Sequence, residues 1–156
     1  MGFSREYFPA VEGDPPPLST ECERRVRFEE VDGLSMVWHG RYPSYLEDGR
    51  IRFGDVFGLT YHSFRENRTV APVVQMHLDY KVPLRFDETM KIRTTLHWTD
   101  SAKLNFSYMI YNAKGAVAAS GYTVQLLTEV DGTVLLVVPE WLQQFRNRWR
   151  TGEFVL

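Results

Sequence analysis

Apolar and polar positions alternate along several stretches of the chain. This is the period of a half-buried β-strand, whose successive side chains point to opposite faces. In 22–28, Cys22, Val26 and Phe28 fall on one side, with Arg25 and Arg27 on the other. The pattern is cleaner in 73–80, where Val74, Met76, Leu78 and Tyr80 oppose Gln75, His77 and Asp79. It returns in 90–98, with Met90, Ile92, Leu96 and Trp98 against Lys91, Arg93, Thr95 and His97. In 103–111, Leu104, Phe106, Tyr108 and Ile110 share a side. Residues 116–127 form a longer apolar-leaning run, and 133–138 read as a short last strand. Thr99–Ala102, Ala113–Gly115 and Asp131-Gly132 separate these runs as tight turns, and Asp-Gly is the strongest of the three signals. The second half is therefore an antiparallel meander.

A different period occupies 42–57. Tyr42, Tyr45, Leu46, Phe53, Val56 and Phe57 fall on one face at helical spacing, and Pro43 suits a first helical turn, where its missing N–H costs nothing. Gly49 lies on that same face. A glycine there costs about 1 kcal/mol against alanine, which points to close approach of another backbone. Gly58 serves as the stop. Shorter helices are predicted near 60–67 and from Pro139 to about Trp149. The order is strand, long helix, then antiparallel strands, an α+β layout with the helix packed on one sheet face.

Residues 1–20 carry Pro9, Pro15, Pro16 and Pro17 with few aliphatics, and read as an extended arm, disordered or laid across a partner subunit. Residues 21–150 form the single domain that a chain of 156 residues leads one to expect. The net charge of -2 gives no basic footprint for nucleic acid and no polybasic membrane patch. One cysteine, Cys22, excludes a disulfide within the chain and a thiolate metal cluster. His62, His77 and His97 are scattered, so no metal site is expected. With no secretory signal and no long apolar run, a cytoplasmic location is the plain expectation, without membrane or nucleic-acid partners.

The candidate chemistry lies in 29–50, EEVDGLSMVWHGRYPSYLEDGR. Asp32 sits about ten residues before the long helix, and His39 and Gly40 stand just before its start. A carboxylate can attack a carbonyl or draw a proton from water. Free N–H groups at a helix start can hold a carbonyl oxygen as it gains charge, and losing one such donor costs about 100–1,000-fold in rate. On spacing alone an Asp in this setting is more often a turn former or cap than a catalyst, and a lone His more often a surface or interface side chain. Trp38, Tyr42, Tyr45 and Phe53 are likewise more often core than pocket.

Asp32, the Val37-Trp38-His39 run, Tyr42, Tyr45, Glu47 and Arg50 together resemble the signature of the 4-hydroxybenzoyl-CoA thioesterase family, in particular its acyl-CoA thioesterase branch, within the hotdog superfamily. The likeness continues through Tyr80, Pro83, Asp87, Asn105, Phe106, Ala119–Thr123 and Pro139, covering roughly 22–142. It implies a hotdog fold, an antiparallel sheet wrapped around one long helix, and hydrolysis of an acyl-CoA to free acid and CoA. It implies Asp32 as nucleophile or general base, and the His39 backbone N–H as the group polarising the carbonyl. Val37, Trp38, Gly40, Tyr42 and Tyr45 would lie along the substrate, with Glu47 toward the partner's side. It implies a homodimer or dimer of dimers, with sheets joined edge to edge and the active site shared. No cofactor is implied, since CoA is part of the substrate, and Arg65, Arg68 and Arg85 are candidates for its phosphates. Where the family commonly has glycine, three residues after the acid, this chain has Ser35. If that position takes a positive φ, Ser35 is strained there. The readings in other classes are a non-catalytic acyl-CoA or acyl-carrier binding protein, a hotdog dehydratase, and a subunit serving only assembly.

Overall fold

The computed structural model describes residues 6–154. Five strands form one antiparallel sheet: β1 (Leu18–Arg25), β3 (Val73–Tyr80), β4 (Thr89–His97), β5 (Lys103–Tyr111) and β6 (Val117–Leu126), in the order β1-β4-β5-β6-β3. Helix α1 (Tyr42–Phe57) lies on one face, and α2 (Tyr61–Glu66) follows it. A two-stranded ribbon, β2 (Thr69–Val70) with β7 (Thr128–Glu129), stands beside the sheet. Helix α3 (Glu140–Arg150) closes the domain by burying Leu142, Phe145 and Trp149.

The alternation explains the register. Ile92 pairs with Ile110, Leu96 with Phe106, and Phe106 with Thr123, so the inner faces of β4, β5 and β6 meet as one apolar surface. Tyr45, Leu46 and Phe53 of α1 pack down on it, all fully buried. Gly49 does what its position on the buried face requires: a Cβ there would come 2.1 Å from Thr94 Oγ1 and 3.1 Å from Ile92 Cγ2. The helix ends at Gly58, whose φ of 86° is the left-handed conformation a C-terminal cap needs.

Several expectations are corrected. β1 starts at Leu18, inside the range read as arm, and ends at Arg25. Phe28 is therefore not on a strand face; it lies in a 3-10 turn, Phe28–Glu30, 79% exposed, with its ring edge-on to Phe86. Val56, in the last turn of α1, is also exposed. Residues 133–138 make no strand: 128–129 pair with β2, and the segment keeps a single bridge, Val134 to Thr128, flanked by hydrogen bonds from Leu135 N–H to Leu127 O and from Glu129 N–H to Thr133 O. The described part of the arm lies on the outer face of its own sheet. Tyr7 donates to Asp79 at 2.7 Å, and the Phe8 ring stands 5.1 Å from His97. Residues 1–5 of the arm lie outside the described residues.

Candidate active site

Asp32 sits in a tight hairpin between the bridged residues Val31 and Val37. Its N–H donates to Met36 O at 2.8 Å, and its O accepts from Ser35 N–H at 3.0 Å. The hairpin is laced to the segment before β4: Val37 N–H donates to Leu84 O, and Phe86 N–H to Ser35 O. Asp32 Oδ1 accepts from Leu34 N–H at 2.8 Å, so one carboxylate oxygen forms the turn, while Oδ2 has no protein hydrogen bond among the described residues. Ser35 takes φ of 60°, the left-handed conformation that glycine adopts most readily.

From Val37 the chain runs into α1. Trp38 N–H donates to Glu30 O at 2.9 Å, fixing the register between the two arms of the hairpin. His39 opens a 3-10 turn, His39–Arg41, that leads straight into α1. The first N–H groups of such a run have no acceptor within the helix. The His39 side chain is exposed, its ring 5.0 Å from that of Trp38, and its carbonyl accepts from the Tyr80 hydroxyl at 2.9 Å. Trp38, half exposed, covers Gly40 so closely that a Cβ on Gly40 would meet the indole at 2.2 Å. Tyr42 is buried between Tyr45 and Tyr80, with ring centroids 5.6 and 4.8 Å away. Val37 and Tyr45 are core residues. Burial raises both phenol pKa values, and at Tyr45 the neighbouring Glu30 carboxylate adds to the effect, so these hydroxyls stay protonated.

Behind the hairpin lies a charged cluster that the sequence reading missed. Glu30, only 2% exposed, accepts from Arg24 Nη2 at 2.5 Å and from Arg27 N–H at 2.8 Å. Arg24 also bonds Asp48 of α1, and its guanidinium lies 5.1 Å from the Tyr45 ring centroid. A signal was present: Arg24 shares the inward alternation of Cys22 and Val26, and an inward charge demands a buried partner.

A cavity of about 890 Å³ lies beside the later part of α1. Phe53, Leu59, Phe64 and Phe106 give it an apolar body, with Arg50 and Gln125 among its polar lining. Glu47, Arg65 and Arg68 line it too, but Asp32 and His39 do not. Within one chain the structure thus groups Trp38, His39, Gly40, Tyr42 and Tyr80 at the helix start, and holds Glu47 at a separate cavity. Arg85 stands at the hairpin, its Nη1 3.5 Å from Leu34 O. No helix among the described residues is long and apolar enough to cross a membrane.

Residues 26–145 match the thioesterase-like superfamily. The acyl-CoA thioester hydrolase YbgC of Escherichia coli O6:H1 is 27% identical over 120 residues, covering 74% of this chain and 79% of that protein. Among solved structures, the hypothetical protein TT1821 of Thermus thermophilus is similar with a TM-score of 0.74 and 29% identity, covering 83% of this chain and 96% of the other. The DHNA-CoA thioesterase of Staphylococcus aureus shares the fold, with a TM-score of 0.77 at 21% identity, covering 86% of this chain and 93% of that one. With the matched segment running from the end of β1 into α3, and with a long helix on an antiparallel sheet, the chain belongs to the thioesterase-like superfamily and is a thioester hydrolase of the hotdog fold.

Proposed function

We propose that the protein hydrolyses acyl-CoA thioesters, with Asp32 as the reacting carboxylate and the helix start at His39 as the site of the carbonyl oxygen. The observation that carries this reading is the hairpin, which holds a carboxylate with one free oxygen in fixed register with the N-terminal end of α1. In the general-base route, Asp32 takes a proton from water as the water oxygen attacks the thioester carbon. The C–S bond then breaks, CoA leaves as the thiolate, and the proton passes to it. In the nucleophilic route, Asp32 Oδ2 attacks, CoA leaves, and water cleaves the resulting anhydride. In both routes negative charge grows on the carbonyl oxygen, where the backbone N–H groups at His39 and Gly40 stabilise it.

The site is built across two copies. The inner face of β3 carries Met76 and Tyr80, each two-fifths to half exposed, and β3 is an edge strand. Pairing that edge with a second β3 covers this apolar face, and brings one chain's hairpin toward the other chain's cavity. The cavity then receives the acyl group, with Glu47 on the partner's side and Arg65 and Arg68 near the CoA phosphates.

Thiol release from a panel of CoA thioesters tests the reading. Asp32→Asn keeps the Oδ1 acceptor for Leu34 N–H, so the turn survives while the base is lost. Turnover should fall at least about 100-fold, with binding and subunit association retained. Full activity in Asp32→Asn overturns the mechanism.

A further inference from the structure

We propose that Tyr80 is a positioning residue for the thioester reaction, its hydroxyl setting and polarising the peptide group that presents the Gly40 N–H to the carbonyl oxygen. This rests on the reading above that the helix start at His39 holds that oxygen. The His39 carbonyl and the Gly40 N–H belong to one planar peptide group, so fixing the first aims the second. In an α-helix the carbonyl of residue 39 would accept from the N–H of residue 43. Residue 43 is Pro43, which has no N–H to give. The Tyr80 hydroxyl reaches the His39 oxygen instead, donating to it at 2.9 Å.

The donor is itself held in place. Tyr80 is the last residue of β3, paired with Ala119 of β6, and its ring stands edge-on to that of Tyr42 with centroids 4.8 Å apart. Partial burial raises the phenol pKa, so the hydroxyl keeps the proton it donates. The Trp38 indole lies over Gly40. The peptide is thus held at its carbonyl by β3 and at the Gly40 Cα by Trp38. A hydrogen bond accepted by a carbonyl strengthens the N–H of the same peptide as a donor, and linked bonds reinforce one another by about 10–30%. This gain grows with the negative charge on the thioester oxygen. It therefore favours the transition state over the bound substrate and appears in kcat. Half of Tyr80 is exposed in one chain. The pairing at β3 proposed above would cover it, and a hydrogen bond taken out of water is stronger.

The test compares Tyr80→Phe with the parent by thiol release from one CoA thioester, using the full chain. The variant keeps the ring against Tyr42 and removes only the hydroxyl. Losing an oxyanion donor outright costs about 100–1,000-fold; here the N–H remains and only its aim and strength suffer, so kcat should fall about tenfold. KM should change less than about threefold, and sedimentation should match the parent. Pro43→Ala restores an N–H at the helical position for the His39 carbonyl. Alone it should alter kcat less than about twofold, and added to Tyr80→Phe it should recover kcat at least about threefold. A Tyr80→Phe kcat within about twofold of the parent overturns the proposal. So does a loss confined to KM, one that tracks a change in sedimentation, or one that Pro43→Ala leaves untouched. Failure of the underlying reading looks different. Full activity in Asp32→Asn beside a Tyr80→Phe loss sinks the Asp32 mechanism alone, and a parent that releases no thiol sinks both.

Discussion

The cluster behind the hairpin gives the sharpest stability test. Glu30 is nearly fully buried and joins three parts of the fold: Arg24 on β1, the N–H of Arg27, and, through its carbonyl, Trp38 at the approach to α1. Glu30→Ala removes the carboxylate and leaves Arg24 in a mostly buried place, its Nε already without a partner. Breaking a buried ion pair by deleting one member costs about 3–5 kcal/mol. Arg24 retains Asp48 and has a side chain 20% exposed, so the low end, about 3 kcal/mol, is expected. Glu30→Gln keeps the shape but offers one acceptor oxygen where Glu30 uses two, so it loses the charge assistance and one of the two contacts, which costs about 1.5–3 kcal/mol. For a domain of this size each kcal/mol moves Tm by about 2–4 °C, so Glu30→Ala should melt about 6–12 °C below the parent. Urea unfolding of Glu30→Ala, Arg24→Met and the double variant measures the coupling directly. The double variant should be less destabilised than the sum of the singles, because it removes both members of the Arg24–Glu30 pair, whereas each single leaves one of them unpaired. A Glu30→Ala loss under about 1 kcal/mol, or strictly additive singles, refutes the clamp. Asp32 lies two residues beyond Glu30, and small displacements of a reacting group are costly, so Glu30→Gln should lower kcat more than it changes KM.

Ser35→Gly should stabilise the protein by about 0.5–1 kcal/mol, since relief of the left-handed strain at φ of 60° outweighs the added freedom of the unfolded chain; a thermal melt checks it, and a destabilised variant shows that the Ser35 side chain matters to the turn. Gly49→Ala should cost about 1–2 kcal/mol despite its better helix propensity, because its Cβ would meet Thr94 Oγ1, and adding Thr94→Ala should recover much of the loss in denaturant unfolding. His97 is held below its ordinary value by burial beneath the arm, so the folded state resists its protonation. Stability should therefore be full above about pH 6.5 and fall as pH drops from there toward the lower folded value, and His97→Gln should flatten that slope in urea titrations between about pH 7 and 5.

The long helix was readable because its stripe, its Pro43 start and its Gly58 stop all agree with one period. Strands β4, β5 and β6 were readable for the same reason: each has one face fully committed to the core. The start of β1 was hidden by the prolines beside it, and by inward positions occupied by Thr20 and Arg24 rather than aliphatics. The β2–β7 ribbon has two residues per strand, too few for any period to show. At the site, the run holding Asp32, His39 and Gly40 was legible because its parts are consecutive, while the hairpin that bridges Val31 to Val37 was not. The cavity was not, because Arg50, Ala71, Phe106 and Gln125 come from separate elements and meet only after folding.

The most informative mismatch is β3. Its alternation marks Val74, Met76, Leu78 and Tyr80 as a buried face as clearly as any strand in the chain. In the folded chain Met76 lies opposite Thr123, on the α1 side of the sheet; Tyr42 of α1 meets Tyr80 edge-on and Leu78 is partly buried against the core, but α1 packs mainly on β1 and β4 and leaves Met76 and part of Tyr80 exposed. Among the described residues the arm does not cover them, because it lies on the opposite face, at Asp79 and His97. An apolar strand face beside an unpaired edge has two unmet needs, backbone partners and a cover. A second copy joined at β3 meets both at once: its strand supplies the hydrogen bonds, and its own helix side supplies the cover. The pairing of two chains proposed above would account both for the apolar alternation of 76–80 and for the separation of Asp32 from the cavity within one chain.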